Sequence, residues 1–83
     1  MNKKLFPILG SLSSKSSDEN LTWYAIPIDS ILRILEHTST EGDNPKLQTE
    51  IIFFNGHLDS CPIHVYTTGK VLDIALEINE NDD

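Results

Sequence analysis

Residues Thr49 to Ile78 read TEIIFFNGHLDSCPIHVYTTGKVLDIALEI: three apolar runs parted by Asn55-Gly56 and Thr68-Gly69, with His57, Asp59, Cys61 and His64 gathered between the first two. Asn-Gly between apolar runs signals a hairpin, because a tight two-residue turn needs positive φ at both positions. The stretch therefore predicts a sheet rich in hairpins. Leu47 to Phe54 is one strand, and Ile51, Ile52, Phe53 and Phe54 leave it apolar on both faces, as in a central strand. Ile63 to Thr67 is a shorter strand ending at the Thr68-Gly69 turn. Val71 to Ile78 fits two patterns. Leu72, Ile74, Leu76 and Ile78 alternate with Asp73 and Glu77 as in a strand, while Val71, Ile74, Ala75 and Ile78 form a helical stripe. The strand is the preferred reading, since it leaves Asp73 and Glu77 on a solvent face.

Upstream, Ile28, Ile31, Leu32, Ile34 and Leu35 recur at intervals of three and four, which predicts a helix over 28–37 that starts after Pro27 with Asp29 or Ser30 as its cap. So short a helix must dock its apolar stripe on the sheet. Leu21 to Ile26, with Trp23 and Tyr24, reads as a strand. Leu5 to Leu9 reads as a short edge strand, because an edge tolerates Pro7. Gly10 to Asn20, with five serines, reads as an exposed connector, and Thr38 to Lys46 as a turn-rich loop. The fold predicted is α+β: a mostly antiparallel sheet of four or five strands, one helix on one face, in the order strand, strand, helix, strand, strand, strand. Residues 1–83 are read as a single domain, with 1–20 partly flexible and 79–83 an acidic, frayed tail.

Eighty-three residues support a thin core only. Thirteen acidic against six basic residues give a net charge of −7, which disfavours direct contact with nucleic-acid phosphates. A lone Cys61 cannot close an intramolecular disulfide, and Pro7 and Gly10 interrupt the apolar run after Lys3 and Lys4, so a cytoplasmic chain without a secretory leader is expected. No apolar run is long enough for a membrane helix.

His57, Asp59, Cys61 and His64 are metal-ligand types, but alternate positions on an extended strand lie about 6.6 Å apart, too far for one ion unless the backbone folds sharply. A polar hairpin loop is the simpler reading, and no cofactor is expected. Cys61 and His64 as thiolate and base would need a third orienting group and an enclosed pocket, so Cys61 is read as a small semi-buried hydrophobe and the chain as non-enzymatic. Glu36, Glu41 and Asp43 are read as solvated, and His37 as lying at a helix C-terminus. Trp23-Tyr24 and Phe53-Phe54 must each split across the two faces of a strand, leaving an aromatic patch ringed by acids. Trp23, Tyr24, Phe54, Tyr66, Asp73 and Glu77 are accordingly the candidate partner-binding residues. The function expected is a small acidic, non-enzymatic protein-binding module of the inhibitor, immunity or anti-defence kind, acting on a larger basic or nucleic-acid-processing protein. The alternatives are a small metal or redox protein built on the His57, Asp59, Cys61 and His64 cluster, and a homodimer formed by pairing of sheet edges or faces.

Overall fold

A computed structural model describes residues 4–54 and 61–81; the Asn55-Gly56 turn, His57 and Asp59 lie outside them. The described chain is α+β, with five antiparallel strands and one α-helix. These are β1 (Leu5–Ser11), β2 (Thr22–Pro27), β3 (Ile31–Glu36), β4 (Thr49–Phe53), β5 (Ile63–Thr67) and α1 (Val71–Asn81). The sheet order is β2-β1-β5-β4-β3, a meander whose first strand pairs with its last.

That order forces curvature. Laid flat, β2 and β3 would stand four strand spacings apart, about 19 Å. Yet Pro27 and Ile31 are separated only by the 3-10 turn Ile28–Ser30, and four residue steps span at most about 14 Å. The sheet must curl so that its edges approach. Backbone hydrogen bonds hold the link on both sides, from Ile28 N to Lys4 O (3.0 Å) and from Phe54 N to Ser30 O (2.8 Å). The concave face carries the core: Phe6, Ile8, Ile26, Ile28, Ile51, Phe53 and Val65, with Ile74 of α1 inserted among them. Strand alternation explains the set, because β4 buries Thr49, Ile51 and Phe53 while Glu50 and Ile52 face outward.

Two elements differ from the sequence reading. Residues 28–37 form a 3-10 turn followed by β3, not a helix. A bulge between Ile31 and Arg33 breaks the pairing with β4, so Ile31 and Ile34, three apart, both turn inward. An inward spacing of three is what a helix shows, and the bulge reproduces it in a β-branched strand. Residues 71–81 form a helix, not a strand. Leu, Ala and Glu favour it, Asp73 sits in its first turn against the positive end of the dipole, and Val71, Ile74 and Ile78 face inward. The helix runs through Asn81, so residues 79–81, expected to be part of a frayed tail, are helical.

β1 is also not an edge. It pairs with β2 along Leu5–Gly10 but with β5 only at Gly10 and Ser11. Pro7 therefore sits where one flank of the strand has already lost its partner, which satisfies the rule that made an edge seem necessary. The serine-rich connector is tied down, too: Ser11 is buried, and Asn44 bonds to Ser14 and Ser16 across the loops.

Candidate interaction surface

The helix occupies the mouth of the curled sheet. The Thr68–Lys70 turn delivers it there, held to β4 by the Thr49 hydroxyl donating to Gly69 O, and Gly69 lies directly against the Ile74 side chain. One flank of α1 contacts β3, and a cavity of about 310 Å³ lies on that side, lined by Glu36, Gln48, Thr49, Lys70, Val71 and Leu72. The other leaves a groove of about 350 Å³ against the β1–β2 hairpin, with Pro7, Leu9, Trp23, Asp73 and Glu77 among its walls. The groove opens where β1 leaves β5, a point pinned by the Thr67 hydroxyl donating to Leu9 O at 2.8 Å.

At 100° per residue, Leu72 and Leu76 project roughly 160–200° away from the buried Ile74, which places them on the outside of the helix. They are 69% and 53% exposed, and Trp23, across the groove, is 70% exposed. Asp73 and Glu77, one turn apart, share the groove-side edge. Trp23, Asp73 and Glu77 thus converge, although Asp73 and Glu77 reach the groove from a helix. Tyr24 instead packs against the core beside Ile8. Phe54 is half-buried at the end of β4, and Tyr66 lies on the convex face of β5. The two leucines belong to this surface and were not among the residues singled out from sequence.

The convex face carries a separate polar cluster. Asp43, expected to be solvated, has a side chain only 5% exposed. It accepts from Ser14 Oγ (2.8 Å), Thr40 N (2.9 Å) and Thr40 Oγ1 (3.0 Å), and the Thr40 amide foremost holds its carboxyl down at about 2. His37 follows a strand, not a helix; its Nε2 stands 3.3 Å from Asp43 Oδ2 without hydrogen-bond alignment, and its ring meets Tyr66 edge-on at 5.0 Å. Burial, reinforced by the Glu50 carboxylate that accepts from its hydroxyl, holds Tyr66 above the usual phenol range. A nucleophile–base pair needs the imidazole turned to the hydroxyl. Here Ser14 and His37 both address the same carboxylate, so the arrangement clamps residues 12–20 onto 38–46.

Of the four metal-ligand candidates, His57 and Asp59 lie outside the described residues. Cys61 is exposed rather than semi-buried, and His64 pairs through Nδ1 with Glu50. Among the described residues no three His, Cys, Asp or Glu side chains gather as metal ligands would, and no helix is long and apolar enough to cross a membrane. No family model, curated protein sequence or solved structure matches the chain.

Proposed function

We propose that this chain is a small, acidic, non-enzymatic protein-binding module of the inhibitor, immunity or anti-defence kind, engaging a larger protein through the outer face of α1 and Trp23. The observation that carries the reading is the exposure of Leu72 and Leu76 on a helix whose opposite stripe is already satisfied by the core. Folding gains nothing from two leucines in water. Apolar side chains rimmed by carboxylates are what a partner with an apolar, basic surface would cover. The net charge of −7 supports a basic partner by steering its approach.

Capture from the native host, in the cytoplasmic fraction, tests this. Wild-type protein should retain a specific basic protein at low salt, and a folded Leu72→Ser/Leu76→Ser variant should lose it. Capture unaffected by the double substitution, or no capture at either low or high salt, would overturn the reading. The same leucines favour self-association as the second reading. Light scattering across a concentration series that shows a dimer dispersed by the double substitution would select it.

A further inference from the structure

We infer that the cavity on the β3 side of α1 is a binding site for a free apolar amino acid, held by its ammonium and its carboxylate at once. This goes beyond the docking surface and does not depend on it. The cavity, about 310 Å³, lies where the end of β3 and the starts of β4 and α1 meet, and its volume is at the small end of ligand-sized sites. Its frame is fixed. Gln48 Nε2 donates to Thr68 O at 3.4 Å, and the buried Thr49 donates its hydroxyl to Gly69 O, so the β4 wall and the turn leading into α1 are held together.

Two opposite charges line this frame: Glu36 at the end of β3 and Lys70 immediately before α1. Among the described residues neither side chain forms a hydrogen bond or an ion pair, with the other or with any third group. Standing apart on one small cavity, they offer complementary ends to a molecule that carries both charges. A simple anion would bring its charge against Glu36, and a simple cation against Lys70. A neutral apolar molecule would strip water from both and return nothing. An amino acid satisfies each wall. Its ammonium donates to the Glu36 carboxylate, and its carboxylate accepts from Lys70 and from the second amide hydrogen of Gln48, which the bond to Thr68 leaves unused. Val71 and Leu72 complete the wall and suit an apolar side chain. Glu36 and Lys70 are both exposed, so the affinity is low.

The test titrates the whole nitrogen-15-labelled protein with L-leucine, with N-acetyl-leucine, which lacks the ammonium, and with leucinamide, which lacks the carboxylate, and reads the backbone amide shifts. L-Leucine should give saturable shifts concentrated at Gln48, Lys70, Val71 and Leu72. Each blocked compound should bind roughly fivefold more weakly, the upper end for loss of one solvent-exposed ion pair. Glu36→Gln and Lys70→Gln should each weaken L-leucine by a similar factor. The pairing is read from the cross terms: in Glu36→Gln the difference between L-leucine and N-acetyl-leucine should vanish, and in Lys70→Gln the difference between L-leucine and leucinamide. Glu41→Gln, which removes a carboxylate from the exposed 38–46 loop, should change nothing. No saturable response to L-leucine, shifts centred elsewhere, wild-type binding of both blocked compounds as tight as that of L-leucine, or an equal loss in Glu41→Gln overturns the site. Host-protein capture that still depends on Leu72 and Leu76 alongside such a result removes this site and leaves the docking face standing.

Discussion

Gly10 is the residue on which the curl of the sheet turns. β1 approaches β5 only here and at Ser11, and a Cβ on Gly10 would fall against the carbonyl oxygen of Tyr66 and 2.9 Å from Val65 Cγ1. The obstacle is backbone, which cannot rotate aside, so Gly10→Ala should cost about 1–3 kcal/mol, read as a lower urea midpoint at unchanged m-value. Asp43 governs the other long-range contact, and its effect depends on pH. Its folded pKa of about 2 lies below the ordinary 3.8, so its contribution is complete above pH 3.8 and is lost as pH falls toward 2. Wild-type melting temperature should therefore drop across that window, and Asp43→Asn should show a shallower drop from a lower starting point. A variant as steep as wild type would assign the acid transition to other carboxylates. Nothing in the sequence around Asp43 disclosed its burial, because Ser14, which donates to it, is 29 residues away in a serine run that reads as solvent-exposed.

Among the elements, β3 and α1 exchanged character relative to the periodic reading, and each for a local reason. The bulge at Ile31/Arg33 gave a strand the inward spacing of a helix, and α1 gained a strand-like alternation because its solvent side holds leucines as well. A position four residues along falls on the same side under both periods, two and 3.6. Asp73 and Glu77, like Leu72 and Leu76, therefore share a face whichever element is chosen, about 13 Å apart on a strand and about 6 Å on a helix, which is why their common face was legible although the element was not. The antiparallel core of β4 and β5 was legible for a firmer reason: its Ile, Val and Phe residues face the concave core at every second place. The two stripes of α1 should separate under substitution. Ile74→Ala, which empties a site inside the core, should cost about 2–5 kcal/mol, a large part of the roughly 4–12 kcal/mol a chain of this length commands. Leu72→Ser/Leu76→Ser should change thermal stability little while removing partner capture. If the double variant is as unstable as Ile74→Ala, the leucines serve the fold and α1 is no docking face.

For the whole molecule, charge and shape decide how a partner arrives. The described chain extends 43 Å along its longest axis and 20 Å along its shortest, and the full sequence carries a net −7. At 0.01 M salt the screening length is about 30 Å, so a basic protein approaching any side senses most of that charge; at 0.15 M it is about 8 Å, and only carboxylates near the contact still act. Steering should therefore fade with salt, while the apolar contacts of Leu72, Leu76 and Trp23, which hold the complex once formed, should not. In surface plasmon resonance with the captured host protein, the association rate should fall at least tenfold from low to physiological salt, with dissociation changing much less. Neutralising Glu19 and Glu41, exposed and away from the groove, should lower the association rate at low salt only. Asp73→Asn should instead raise the dissociation rate at both. A complex whose dissociation rate carries the whole salt dependence would mean that ion pairs, not the leucine face, hold it together, and the docking surface would then have to be sought among the other carboxylates.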